Sequence, residues 1–252
     1  MRSFSRLVLN EWLKLFKRSS ILVPYVILAA YAAIFGYAVF KMGSEFGSGA
    51  EFAALAIGMS SAGQVLPLLA IITMAGMVSK EYRMGTIKLL LIRAHSRNKI
   101  LASKYTAALL FIISLILFTA VAVLVTGTVV YGWGGEAAHW NEIGRSMLFM
   151  FIYTTVYVTL TFMIDILTKS SGVTVGIALF CVMMGGLATL LLSKYSFAKF
   201  ILFANTDLSQ FNAGNEPMIP GMTLPFSVSV LIVYVALFLL ASFVTFRKRD
   251  VS

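Results

Sequence analysis

Ser96 and Lys99 stand in S-x-x-K spacing, in which a lysine can assist a serine nucleophile. The S-D-N and K-T-G companions of that chemistry are absent, and the pair lies in a strongly basic stretch, so it is not assigned to catalysis. Gly58, Ser60 and Ser61 suggest a serine nucleophile within a membrane, which would need a nearby base. The two histidines, His95 and His139, fall in loops on opposite sides of the apolar runs. There is no H-E-x-x-H pair for zinc and no G-x-x-x-x-G-K-[ST] loop for nucleotide phosphates. Asp165 is the one acidic residue inside an apolar run, which makes it a functional candidate by default. Lys169 lies four residues further on, and an i,i+4 ion pair at the membrane boundary is the preferred reading over proton or cation coupling. Nothing here supports an enzyme acting alone.

The richest concentration of side chains is the stretch 79–104, SKEYRMGTIKLLLIRAHSRNKILASK. Lys80, Arg83, Lys88, Arg93, Arg97, Lys99 and Lys104 are opposed only by Glu81. Met84, Ile87 and Leu91 recur at i, i+3 and i+7 and so share one helical face. A basic connection between membrane spans can serve topology alone. The apolar stripe inside it is not needed for topology and suits docking onto another protein.

The elements that carry these residues follow from composition. Hydrophobic residues make up 60% of the 252 positions and charged residues 12%, about half the charged share of a soluble domain. Apolar runs long enough to cross roughly 30 Å of hydrocarbon recur, so the chain reads as an all-α membrane protein with six transmembrane helices. A net charge of +10 does not point to nucleic acid, because the basic residues flank apolar spans on one side. Cys181 is the single cysteine, which excludes an intramolecular disulfide. No removable signal peptide is read at the N-terminus.

Residues 1–19 form an amphipathic helix lying in the interface. Val8, Leu9, Trp12, Leu13, Leu15 and Phe16 fall on one arc, and Arg6, Asn10, Glu11, Lys14 and Lys17 face the headgroups. Residues 20–252 form one six-span domain, with spans at about 20–40, 52–78, 105–130, 145–167, 173–192 and 223–246. Ser60, Ser61, Gln64 and Pro67 interrupt the second span, and Gly185 and Gly186 thin the fifth. Such positions fit either close helix packing or the lining of a pathway. Trp133 and Trp140 read as part of an aromatic belt. The segment 193–222 opens with Tyr195, Phe197 and Phe200 and reads as an interfacial element on the far side. The N-terminus, the 79–104 stretch, Lys169 and the tail carry sixteen Lys and Arg; the other side carries four, against six acidic residues. The positive-inside rule puts both termini in the cytoplasm.

The pattern E-x-x-x-G-T-x-x-x-L-L followed by S-R-x-x-I-x-x-x-K resembles the segment after the second span of ABC-2 type permeases, the membrane subunits of one class of ATP-driven exporters. The matching residues are Glu81, Gly85, Thr86, Leu90, Leu91, Ser96, Arg97, Ile100 and Lys104. Ala94 and His95 stand where many family members carry a proline. The amphipathic elbow helix and the interfacial element before the last span extend the resemblance over nearly the whole chain. It implies a permease in a bacterial cell membrane that exports an amphipathic peptide, drug or lipid-like substrate, with antimicrobial peptides as the weakly preferred class. It implies a second permease copy or a similar permease, surrounding membrane lipids, and separate cytoplasmic ATPase subunits that hold ATP and Mg. This chain would bind no cofactor and no metal. Glu81, Met84, Gly85, Thr86, Ile87, Leu90, Leu91 and Arg97 would couple to the ATPase, and Ser60, Ser61, Gln64, Gly185 and Gly186 would line the route. The alternative is a non-pumping membrane scaffold or sensor subunit.

Overall fold

In hydrocarbon, backbone N–H and C=O groups find no water, so an apolar run must pair them internally as a helix. The computed structural model describes the backbone of residues 2–44, 46–58, 60–85, 96–212, 215 and 217–248, and their side chains except at 2, 3, 19 and 60–64. These residues form helices and turns with no strand among them. Six helical segments are long and apolar enough to cross a membrane, and the protein is an all-α membrane protein.

Helix α1, Arg2–Phe16, leads through a 3-10 turn at Ser19–Ile21 into α2, Leu22–Lys41. Helices α3, Gly49–Gly58, and α4, Ser60–Met74, precede a turn at 75–78 and the short α5, Ser79–Arg83. The long helices α6, Arg97–Tyr131, and α7, Ala137–Thr168, form the centre. After α8, Ser171–Leu192, come α9, Leu202–Thr206, flanked by two 3-10 turns, and α10, Leu224–Lys248. Glu136 and His139 close the start of α7 as a reciprocal capping box, so His139 is engaged in holding a helix end.

Two boundaries differ from the sequence reading. The second span, whose early part, Gly49–Gly58, is buried against α6 and α7, does not run as helix to 78. The helix ends at Met74 and a turn follows at 75–78. Gly76 takes φ +88 in that break, a conformation that a side chain would strain. In addition, residues 97–104 are not loop but the first turns of α6. At 1.5 Å per residue, α6 is roughly 52 Å long, far more than the hydrocarbon needs, so its first turns project beyond it.

Helices α1, α2 and α3 pack on α6, while α3, α4, α8 and α10 pack on α7. Helices α8 and α10 are peripheral, with 17% and 11% of their apolar windows buried. Their exposed Phe180, Met183, Leu191, Ile232 and Leu240 suit a lipid environment. Hydroxyl pairs join neighbouring helices: Tyr25 and Ser114 meet at 2.7 Å, and Tyr105 and Thr159 at 2.8 Å.

A crossing of backbone on backbone joins α3 to α6. A Cβ on Gly127 would stand 2.6 Å from the Gly49 carbonyl oxygen, and one on Gly49 would stand 2.7 Å from the Thr128 backbone nitrogen. Neither neighbour can move as a side chain would. Gly127→Ala is therefore expected to destabilise the protein by about 1–3 kcal/mol through overpacking. Gly144→Ala, where a Cβ meets nothing within 4 Å, should not. Thermal denaturation in detergent checks this; equal melting temperatures for the two variants would contradict the packing argument.

Candidate functional site

Lys104 lies two turns inside α6 and is only 1% exposed. A lone ammonium at such a depth requires compensating charge. It donates to Glu11 Oε2 of α1 at 2.8 Å and to Glu81 Oε1 of α5 at 2.6 Å. Lys14 adds a second cation, 2.6 Å from Glu11 Oε1 and 3.5 Å from Glu81 Oε1. Two lysines thus neutralise two carboxylates and join three helices. Burial would raise the Glu11 carboxyl, but the charges and hydrogen bonds of Lys104 and Lys14 outweigh it and hold the group below its ordinary 4.5. Burial would likewise lower Lys14, and Glu11 with Glu81 outweigh that and raise it above its ordinary 10.5.

This placement corrects two readings. Glu11, assigned to the headgroup face of α1, is 7% exposed and turned onto α6. Glu81, assigned to the contact with an ATPase, is 9% exposed and turned into the cluster. Both follow from the need of Lys104 for partners.

Asp165 corrects a third. It is 1% exposed, and among the described residues it makes no ion pair with Lys169, whose ammonium lies over the Tyr82 ring. Its carboxylate instead accepts from the backbone N–H of Gly76 at 3.0 Å, Val78 at 2.8 Å and Ser79 at 3.1 Å. These are the donors set free where the second span breaks, and the Thr174 hydroxyl approaches the same carboxylate at 3.5 Å. A helix end buried without partners would be costly; Asp165 of α7 supplies them. The break at 75–78 is thus a built joint, held from one side by Asp165 and, through Glu81, from the other by Lys104.

The remaining assigned residues separate. Met84, 64% exposed among the described residues, and Gly85 lie at the end of α5. The Arg97 guanidinium donates to the Arg247 carbonyl at 3.1 Å, tying the start of α6 to the end of α10. Thr86, Ile87, Leu90 and Leu91 lie outside the described residues. Ser60 and Ser61 begin α4 and Gln64 follows in it, with side chains outside the described set. Gly185 and Gly186 line a cavity of about 430 Å³ at the opposite end of the bundle, shared with Tyr153, Tyr157, Phe203 and Asp207. A Cβ on Gly185 would stand 3.0 Å from the Phe203 ring and 3.1 Å from the Tyr157 hydroxyl. Asp207 is the one charged residue of its wall and accepts from the N–H and hydroxyl of Ser209 at 3.0 and 2.6 Å. The two wall glycines are thus not equivalent: Gly185 permits close packing, and Gly186, with nothing within 4 Å of an added Cβ, leaves the space open.

Sequence reasoning missed the Glu11–Lys104 pair and the tyrosines of the cavity. The signals were there. Lys104 stands where an apolar run begins, and Glu11 is the only carboxylate of a basic helix. Tyr153 and Tyr157, at i and i+4 beside Thr154 and Thr161, give one side of an apolar span a polar character.

A family described as "Protein of unknown function (DUF2705)" matches residues 18–252. YhcI of Bacillus subtilis (strain 168), described as an uncharacterized protein, is 37% identical over 202 residues, 73% of this chain and 64% of that protein. The match therefore spans less than two thirds of the length of that relative. YdbK of the same organism, described as an uncharacterized membrane protein, is 27% identical over 256 residues, 95% of this chain and 99% of that protein.

Asp165→Asn should destabilise by about 1.5–3 kcal/mol, the range for hydrogen bonds to a charged group, because an amide offers its NH₂ where three donors converge. Lys169→Gln should cost only a few tenths of a kcal/mol. Melting temperatures of the two variants decide; similar values would restore the i,i+4 reading. The ion cluster also sets a pH window. Glu11 is depressed, so its contribution is present above 4.5 and lost as pH falls through the lower folded value. Lys14 is raised, so its contribution is present below 10.5 and lost as pH climbs through the higher folded value. A thiol-reactive fluorophore at Asn10→Cys, in a background lacking Cys181, should report undocking of α1 in acid below pH 4.5. In Glu11→Gln the signal should be shifted already at neutral pH and change less in acid.

Proposed function

We propose, for a chain that belongs to the DUF2705 family, the role of membrane-spanning permease subunit in an ATP-driven exporter. The basic end is cytoplasmic, and a separate ATPase chain holds ATP and Mg. A second permease copy or a similar permease completes the transmembrane path. The observation that carries this reading is the ion cluster at the root of the basic segment. A segment that docks an ATPase is useful only if its displacement reaches the spans. Glu81 couples α5 to α6 through Lys104 and to α1 through the lysine pair. Asp165 couples the same segment to α7. A push on the connection between α5 and α6 is thereby delivered to four helices at once.

Further support comes from the ABC-2-like pattern around Glu81, Gly85 and Arg97, and from the exposed Met84 at the end of α5. The cavity at the opposite end, with aromatic walls and one carboxylate, suits an amphipathic substrate in transit. Its volume is within the usual range of about 300–1,000 Å³ for small-molecule pockets.

The test is co-purification of the ATPase subunit with the chain in detergent. Burying one large apolar side chain is worth about 1.5–3 kcal/mol, so Met84→Asp with Ile87→Asp should weaken retention by two or more orders of magnitude. The melting temperature should stay unchanged, since Met84 is not packed in the bundle. Retention equal to the parent would show that this stripe does not dock. Failure of the parent to retain any ATPase would favour a scaffold or sensor subunit.

A further inference from the structure

We propose that the pocket between the α1–α2 turn and the end of the second span binds the phosphate of an anionic phospholipid from the leaflet at the basic end of the bundle. The pocket, about 180 Å³, is lined by Arg18 and Lys80 together with Val23, Pro24, Leu69 and Ile72. It contains two cations and no carboxylate. Among the described residues neither cation has an ion-pair partner, although Glu11 and Glu81 stand nearby. Those two carboxylates are committed to Lys104 and Lys14, and Asp165 to backbone donors. Arg18 and Arg83 repel the Lys80 ammonium and Asp165 attracts it, but Asp165 is not in the pocket wall, so the two cations that line the space face it without a carboxylate beside them.

The position of Lys80 is built rather than free. Its stem passes over Gly76, where an added Cβ would stand 2.8 Å from Lys80 Cε, so the turn that breaks the second span also makes room for the side chain. Arg18 occupies the extended residue between α1 and the turn before α2, at the depth where an interfacial helix gives way to a span. Basic pockets between transmembrane helices at this depth suit acidic headgroups. The space admits a phosphodiester and not a whole lipid. Val23 and Ile72 in the wall and Leu22 and Val26 beside it are exposed and offer an apolar track for acyl chains. A free phosphate would satisfy the two cations but leave that track empty, which favours the lipid. The proposal is independent of the exporter reading, because it concerns binding by the chain alone.

The experiment is native mass spectrometry of the full chain in detergent, titrated with phosphatidylglycerol, phosphatidylcholine or inorganic phosphate. Each cation near a charged headgroup contributes about fivefold in affinity. The parent should bind its first phosphatidylglycerol in preference to phosphatidylcholine, and Arg18→Gln with Lys80→Gln should weaken that first binding by about 30-fold. If the double variant does not fold, Lys80→Gln alone should show about a fivefold loss. Arg18→Lys with Lys80→Arg, which keeps both charges, should retain the preference. Lys194→Gln with Lys199→Gln, at the other end, should leave it unchanged. Undiminished binding in the glutamine variants would overturn the proposal, as would an equal loss in the Lys194/Lys199 variant. Displacement of the lipid by inorganic phosphate at matched concentration would assign a free-anion site and overturn the lipid assignment.

Discussion

An ammonium enclosed by protein has to meet carboxylates or give up its charge. Lys104 meets two, and they come from helices that the chain order separates by most of the first two spans. That single requirement explains why α1 lies against α6 and why Glu11 leaves the headgroup face of its helix. It also explains why α5 is held close to the bundle as the chain leaves the second span. The net gain from such a cluster is small, since two ion pairs must be desolvated, yet removing one member is costly, at about 3–5 kcal/mol. The cluster therefore specifies an arrangement more strongly than it stabilises the fold. A docking of α1 that moved Glu11 away would leave Lys104 with Glu81 as its one carboxylate among the described residues.

The break in the second span obeys the same logic in its neutral form. Once the helix stops at Met74, backbone donors are exposed in a place where water cannot reach them. Asp165 reaches three of them, and Gly76 supplies the turn without strain. A carboxylate that neutralises no side chain can still be fully engaged, because several N–H dipoles stabilise its charge. Asp165 and Lys104 consequently act on neighbouring residues from opposite sides, and α5 is fixed between α7 on one side and α1 with α6 on the other.

Much of this architecture was legible before any coordinates. Apolar runs of twenty residues set the six spans, the two-faced pattern of residues 4–17 set α1, and charge counting separated the two ends. What failed was the reading of single charged residues. Glu11, Glu81 and Asp165 were each interpreted from local spacing: a polar arc, a basic loop, an i,i+4 pair. Each is instead satisfied by a distant element, and periodicity carries no information about distant partners. The break at 75–78 was missed for the same reason. Hydropathy registers that residues are apolar; whether a glycine turns the chain among them depends on acceptors such as Asp165 elsewhere in the fold. For the cavity, Gly185 and Gly186 were found because missing side chains are visible in sequence. Tyr153, Tyr157 and Asp207 were not, because they reach it from another span and from the 193–222 segment.

The two ends of the bundle differ in how they can respond to force. At the basic end, charge pairs and backbone hydrogen bonds lock α1, α5, α6 and α7 together, and Arg97 adds the end of α10. At the opposite end α7, α8 and the residues around α9 line a cavity, and α8 and α10 bury little of their apolar surface within the protein. Packed interfaces resist continuous deformation, whereas a void removes the contacts that would oppose displacement. Under the proposed exporter role, a movement imposed on α5 would pass through the hydrogen-bonded basic end and be taken up where packing is incomplete. Among the described residues, the most yielding boundary is the one that Gly185, Gly186 and Asp207 share. In that role the break in the second span and the distant cavity would be complementary: one is tied by hydrogen bonds to neighbouring helices, and the other has room to change shape.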